Sequence, residues 1–169
     1  MRFFLVFLFL GFVLPGCGAS EPSDLKIILY AIDGPSAEGL FEIESFDVAT
    51  ADSDSDPPEL FYNYPILGQV ELTGTAAANE LSGIVEKRVA SEQGLIAGCF
   101  IPRHGLRVIR DGVTSDYVIC FQCTNFEWYE GGSGKRIGQQ SISSKYLAVF
   151  TKPLADAGIE LAPSFLEED

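Results

Sequence analysis

The spacing of apolar residues predicts three strands in the first half of the chain. Residues 24–33, DLKIILYAID, contain a nearly continuous apolar stretch over residues 27–32, which is typical of a strand buried on both faces. Residues 40–48, LFEIESFDV, alternate apolar and polar positions, and this predicts a second strand with one face exposed. A third strand is predicted over residues 66–74, ILGQVELTG.

The spacing changes to a helical period from Thr75 onwards. Thr73 or Thr75 can cap the first turn of a helix, and Gly94 lies just beyond its expected end. Because the apolar residues recur every three or four positions, we predict one long amphipathic helix of about four turns. Its apolar positions are Ala77, Leu81, Ile84, Val85 and Val89.

A second helical segment is predicted near the C terminus, within residues 143–161, SSKYLAVFTKPLADAGIEL. Its apolar residues can cover a sheet, and Gly158 marks its end. We expect Pro153 to bend or divide this segment, because proline removes a helical hydrogen bond and clashes with the preceding turn.

The region between the helical segments carries a hairpin signal. Asp111-Gly112 separates LRVIR from VTSDYVICF, and a type I′ turn favours this dipeptide because both of its central residues need a positive φ. Counting back from the turn gives the register of the two strands. The register pairs Arg107 with Asp116, Arg103 with Cys120, His104 with Ile119, and Phe100 with Cys123.

These elements together indicate the fold class. Strands accompany two helical segments without regular alternation of strand and helix, which favours an α+β fold. We expect a single domain over residues 24–169, with a mostly antiparallel sheet. The long amphipathic helix and the C-terminal helical segment are expected on one face of that sheet.

The N terminus has the pattern of an export signal. Arg2 precedes an apolar run over residues 3–14, which is too short to span a bilayer. The run ends at LPGC, which resembles the lipobox of bacterial lipoproteins. The resemblance implies a signal peptide over residues 1–16, a lipidated Cys17, and a polar tether over residues 17–23. An ordinary secretory signal with a chance cysteine, or an uncleaved short anchor, is the alternative.

Lipidation at Cys17 would place the protein on a membrane, because each buried methylene of an acyl chain contributes about 0.8 kcal/mol. In the lipoproteins that this segment resembles, aspartate after the cysteine favours retention at the inner membrane. Gly18 stands there. We therefore expect a palmitate-type lipid anchor in the bacterial cell envelope, with the domain on the periplasmic face of the outer membrane.

The charge of the chain excludes one class of partner. The formal net charge is −13 at pH 7, and an acidic surface repels phosphate backbones, which argues against nucleic-acid binding. Three aspartates in the loop ATADSDSDPPE have the 1-3-5 spacing of an EF-hand. Pro57 and Asn63 occupy positions that need glycine and glutamate, so a solvated acidic turn is favoured over a calcium site.

CFIPRHG, residues 99–105, and CFQC, residues 120–123, hold the candidate chemistry. One interpretation is a zinc site formed by Cys99, His104, Cys120 and Cys123, since thiolate and imidazole are zinc ligands. Another is a Cys99–Cys123 disulfide with Cys120 as a buried thiol, because an exported domain meets oxidising conditions. Unbonded packing and thiol chemistry are further alternatives. The register favours the disulfide, since Cys99 and Cys120 are offset by roughly 13 Å along the strands.

Two arginines beside these cysteines are candidate anion contacts. Arg103 and Arg107 carry guanidinium groups that bind carboxylate or phosphate in pairs, although an ion pair between Arg107 and Asp116 is the simpler interpretation. We expect no catalytic residues, because the chain lacks a GxSxG nucleophile motif and a lone histidine such as His104 more often has a structural role.

CFIPRHG, the hairpin, DYVICFQC and LADAGIELAP together resemble an uncharacterised bacterial family, often headed by a lipoprotein signal, with CFxPRHG and CFxC motifs. The resemblance covers about the last hundred residues and implies no activity. We therefore expect a membrane-anchored lipoprotein that acts as a non-enzymatic binding or structural module. Its partner would be a protein or a small molecule, and it would need no cofactor. The alternative is a zinc-binding protein.

Overall fold

The structure, a computed structural model, describes residues 24–34, 58–91 and 98–163. Four sequence-based predictions lie outside the described residues. They are the signal peptide over residues 1–16, the lipidated cysteine and tether over residues 17–23, the strand over residues 40–48, and the three aspartates of the acidic loop.

The described ranges form seven strands and two α-helices, with the 3-10 turn Ser144–Tyr146 before the second helix. The strands make one antiparallel sheet in the order β2-β3-β1-β4-β5-β6-β7. The α+β prediction and the antiparallel sheet are confirmed. The elements are β1 Leu25–Ile32, β2 Leu60–Phe61, β3 Tyr64–Glu71, α1 Ala76–Val89, β4 His104–Arg110, β5 Val113–Cys120, β6 Asn125–Glu130, β7 Lys135–Ser141 and α2 Leu147–Asp156.

The two faces of the sheet pack against different partners. On the helix-covered face, side chains of β1, β4, β5 and β6 contact α1 and α2 to form the main core. On the opposite face, Tyr30 and Ile32 of β1 form a smaller cluster with Phe61 and Val118. The strand β1 is therefore buried on both sides, as its continuous apolar stretch predicted.

The β4–β5 hairpin follows the predicted turn and register. Asp111 has a φ of 52° and Gly112 a φ of 77°, which are the two positive values that a type I′ turn needs. Arg107 lies opposite Asp116, and His104 lies opposite Ile119. The predicted register is thus confirmed over β4 and β5, while the predicted Phe100–Cys123 pair lies beyond the ends of these strands.

The helix α1 begins at one of the two predicted caps. The Thr75 hydroxyl oxygen accepts a hydrogen bond from the Ala78 amide at 3.1 Å and donates one to the Leu72 carbonyl at 2.6 Å, so Thr75 rather than Thr73 is the N-cap. The helix has 14 residues and α2 has 10. The prediction of one long amphipathic helix is not confirmed, because both helices are short.

The C-terminal helical segment is continuous through Pro153. Pro153 therefore does not divide the segment, which was one of the two predicted outcomes, and the change from 3-10 to α geometry falls at Leu147. Gly158, with a φ of 73°, ends the segment as predicted. Its amide donates to the Ala155 carbonyl and the next amide donates to the Leu154 carbonyl, both at 2.9 Å, which is the Schellman pattern.

Neither helix in the described ranges is long and apolar enough to cross a membrane.

Candidate functional site

A cavity of about 560 Å³ lies beside the CFIPRHG segment. Its walls come from the residues before β4, the turn after β5, the start of α2, and the last described segment of the chain. Most of the lining is apolar, with hydroxyl, imidazole, amide and guanidinium groups among it. The lining includes Ile101, Arg103, His104, Leu147, Thr151 and Leu161.

His104 is the most deeply buried polar group of the cavity wall, with an exposed fraction of 1%. Its Nε2 lies 3.2 Å from the Thr151 hydroxyl, and its ring meets the rings of Phe121 and Phe150 edge to face. Among the described residues, Nδ1 has no hydrogen-bond partner. Burial lowers the pKa of His104 to about 3, so the imidazole is neutral at neutral pH.

A neutral imidazole with so low a pKa is a hydrogen-bonding group and a poor general base, since efficient general bases have a pKa near the working pH. Either ring nitrogen can carry the proton, because the Thr151 hydroxyl can donate or accept. The site can therefore hold a ligand by hydrogen bonding and apolar contact, and it offers no activated base from this residue.

The three cysteines of the two motifs pack together with Ile101 in a small buried cluster. A disulfide joins Cys99 to Cys123, whose Cα atoms are 5.8 Å apart, and this is the pair that the register indicated. Cys120 is a buried free thiol. Its sulfur accepts hydrogen bonds from the Ile101 amide at 3.3 Å and from the Cys123 amide at 3.2 Å.

The structure does not assemble the predicted zinc ligands. Two of the four, Cys99 and Cys123, are joined to each other. His104 pairs with Ile119 in the sheet, so the neighbouring Cys120 projects to the opposite face. Within the described parts of the chain, no three His, Cys, Asp or Glu side chains converge as metal ligands do. Side-chain alternation along β5 is thus the physical reason that the set is split.

Arg103 holds the wall of the cavity together. Its guanidinium donates to the Gly34 carbonyl at 2.9 Å and, through two nitrogens, to the Pro163 carbonyl at 3.2 and 2.9 Å. The side chain is 12% exposed, and Asp33 lies 3.9 Å away. Gly34 is required there, since an added Cβ would lie 2.5 Å from the Pro102 carbonyl oxygen.

Arg107 forms the ion pair that the register predicted. It donates to both carboxylate oxygens of Asp116, each at 2.8 Å, while the Tyr62 hydroxyl donates to one of them at 2.9 Å. The hydrogen bonds to Asp116 raise the pKa of Arg107. Burial raises the pKa of Tyr62, and the charge of Asp116 raises it further. The predicted anion pocket between Arg103 and Arg107 is not formed, because each guanidinium binds a different protein acceptor.

Gly105, the last residue of the motif, lies under an aromatic ring. An added Cβ would lie 2.6 Å from the Phe61 ring, and that ring stacks on Tyr30 with a centroid distance of 4.4 Å. Glycine therefore allows the β2–β3 turn to lie over the opposite face of the sheet. The motif CFIPRHG thus contains a disulfide cysteine, an arginine that binds two backbone carbonyls, a buried imidazole, and a glycine that allows two chain segments to approach closely.

Two residues of the site were not foreseen in the sequence. Thr151 lies among the apolar positions of a helical segment. The apolar periodicity that predicts the helix gives no indication of the role of a hydroxyl. Tyr62 contacts Asp116 across 54 positions of the chain. It has a φ of 60°, a value that residues other than glycine rarely adopt without tertiary contacts.

Comparison with protein-family models, with curated proteins and with solved structures finds no match.

Proposed function

We propose that the protein is a membrane-anchored lipoprotein of the bacterial cell envelope whose domain binds a small, largely apolar ligand in the cavity beside His104. The observation that carries the proposal is the cavity itself. Its volume of about 560 Å³ falls within the range of roughly 300–1,000 Å³ that is typical of small-molecule sites.

The lining supports the class of ligand. Leu147 and Leu161 offer apolar surface, and the partly exposed Thr151, whose hydroxyl is paired with the buried His104, offers a neutral hydrogen-bonding group. Such a combination suits an apolar body with one polar substituent. Leu147 is 42% exposed, so one apolar residue of the cavity lining is accessible to solvent. A binding role is favoured over catalysis because the imidazole is too weak a base near neutral pH.

The cavity can be tested with N-phenyl-1-naphthylamine, an uncharged apolar probe whose fluorescence rises on burial. Leu147→Trp adds bulk to the lining, and we expect the affinity for the probe to fall about tenfold or more through steric exclusion. Leu67→Trp is the matched control, since Leu67 is 48% exposed on β3 and does not line this cavity. Equal binding by both variants would contradict the proposal.

The anchor is supported by the pattern of residues 1–17 alone, and it needs a separate test. The full chain is expressed in bacteria fed an alkyne fatty acid, and covalent label is measured on the purified protein. We expect label on the wild-type chain, none on Cys17→Ser, and unchanged label on the control Cys120→Ser. Label that persists in Cys17→Ser would show that this cysteine is not the site of acylation.

A further inference from the structure

A free thiol and a disulfide share one small cluster of the core. Cys120, Cys123 and Ile101 are buried together, with Cys99 packed against them. Cys120 is the last residue of β5, and the chain then turns, with the Thr124 amide donating to the Phe121 carbonyl at 3.2 Å. This turn brings the amide of Cys123 within 3.2 Å of the Cys120 sulfur. The free sulfur therefore lies beside one half of the disulfide.

The surroundings of the Cys120 sulfur act on its ionisation in opposite directions. Burial raises the pKa of the thiol, while hydrogen bonds from the amides of Ile101 and Cys123 lower it. Burial is the larger contribution, so the thiolate is a minor species at neutral pH. The two amides nevertheless stabilise negative charge on the sulfur when it forms.

We propose that Cys99, Cys120 and Cys123 form a thiol–disulfide exchange site. The Cys120 thiolate attacks the sulfur of Cys123, a Cys120–Cys123 bond forms, and the Cys99–Cys123 bond breaks. Cys99 leaves as a thiolate and takes up a proton from water, which replaces the proton that Cys120 released. The step is an isomerisation, so it needs neither an oxidant nor a reductant.

Two features select Cys99 as the leaving group. The amide of Cys123 donates a hydrogen bond to the Cys120 sulfur, whereas the hydrogen bond from the other chain segment comes from Ile101, two residues beyond Cys99. Cys99 is also partly exposed, while Cys120 and Cys123 are buried. Water solvates the departing thiolate of an exposed residue best, and this lowers the cost of its release.

The exchange converts a buried thiol into a partly exposed one. The released Cys99 thiolate can attack a small aliphatic disulfide, which forms a mixed disulfide at Cys99 and expels the other half of the reagent as a thiolate. Cys99 thereby becomes a modification site for low-molecular-weight disulfides. In the Cys99–Cys123 isomer, the remaining thiol is shielded from such reagents.

The test traps the released thiol in the detergent-solubilised full chain, without added reductant. The native protein is incubated with iodoacetamide at neutral and at alkaline pH, and the labelled residue is identified by peptide mapping. We expect the wild-type chain to carry label on Cys99, formed about tenfold faster per pH unit as the thiolate fraction rises. The control Cys120→Ser lacks the attacking thiol, so its Cys99 should label at least about tenfold more slowly. Label confined to Cys120 in the wild-type chain would overturn the proposal.

A second variant tests the product bond directly. Cys99→Ser leaves only the two cysteines that the exchange would join within the domain, and we expect peptide mapping to find a Cys120–Cys123 disulfide after mild oxidation. Two alkylated thiols at these positions would show that the turn cannot close the bond. If this variant fails to fold, the trapping experiment on the wild-type chain still decides the question.

Discussion

The two faces of the sheet bury polar groups in opposite ways. On the helix-covered face, His104 is neutral and makes one hydrogen bond, to Thr151. On the opposite face, the fully buried carboxylate of Asp116 accepts two hydrogen bonds from Arg107 and one from Tyr62. A buried group can avoid the cost of desolvation by losing its charge or by surrounding that charge with donors. The two groups lie on neighbouring strands of one hairpin, His104 on β4 and Asp116 on β5.

The comparison has a consequence for function. The neutral, apolar side contains the cavity that we propose as a ligand site, whereas the charged side is occupied by its own partners. A ligand on the helix-covered face would not have to displace an ion pair. The opposite face instead fixes the position of the β2–β3 turn, through Tyr62 and through the Phe61 ring above Gly105.

The largest effect is expected from removing the buried carboxylate of Asp116. Asp116→Ala leaves Arg107 and Tyr62 without their shared acceptor, and we expect the free energy of unfolding to fall by about 3–5 kcal/mol. Urea denaturation measures this change. The control is Glu71→Ala, which removes a 3.0 Å ion pair with Lys26 whose side chains are 53% and 42% exposed; its cost should be about 0–1 kcal/mol. Similar costs for both variants would show that Asp116 is not held by charge.

The stability that depends on the neutral, buried His104 should decrease as the pH falls. The pKa of His104 is about 3 in the folded protein and 6.5 in its ordinary state, so the unfolded chain binds more protons between these values. Stability from this group is present above pH 6.5 and is lost as the pH falls towards 3, by at most about 1.4 kcal/mol per pH unit. Between pH 7 and pH 5 we expect a loss of about 2 kcal/mol.

The control for this pH dependence is His104→Gln, which keeps a hydrogen-bonding side chain and cannot titrate. Urea denaturation of both proteins at the two pH values removes the contribution of the carboxylates, because these are common to both. The wild-type chain should lose more stability than the variant. Parallel pH dependence in the two proteins would mean that the imidazole is hydrated or protonated in the folded state.

The smallest effect compares one hydrogen bond from each face. Tyr62→Phe removes a donor to a carboxylate, and hydrogen bonds to charged groups contribute about 1.5–3 kcal/mol. Thr151→Val removes the hydroxyl beside the neutral imidazole, where about 1 kcal/mol is expected. The two variants, measured by urea denaturation at neutral pH, should therefore rank in that order. The reverse order would place the stronger polar contact on the helix-covered face.

Local rules explain the parts of the fold that the sequence predicts well. The turn at Asp111-Gly112 fixes the pairing of β4 with β5, because only one register satisfies both the turn and the side-chain alternation. The Thr75 cap and the Gly158 ending are likewise set by residues within one turn of the helix. The cysteine pairing followed from the same register, which is why a long-range contact could be inferred from a short stretch.

The remaining features depend on contacts between distant segments. The apolar stretch of β1 predicts its burial on both faces, but it does not indicate that β3 and β4 are its neighbours in the sheet. The contact of His104 with Thr151 joins β4 to α2 across 47 positions. The zinc hypothesis treated the motif residues as one group, although alternation along the strands separates His104 from Cys120. The register that pairs His104 with Ile119 already places the neighbouring Cys120 on the other face, because successive side chains of a strand alternate.

The hydrogen bonds from Arg103 to two backbone carbonyls should keep the wall of the cavity in place under different conditions. The acceptors on Gly34 and Pro163 are backbone oxygens, which carry no proton to gain or lose, and an arginine side chain keeps its charge throughout the biological pH range. Because the side chain is largely shielded from solvent, dissolved ions screen these contacts less than they screen a surface ion pair. The outline of the cavity should therefore stay the same when the pH or the salt concentration changes.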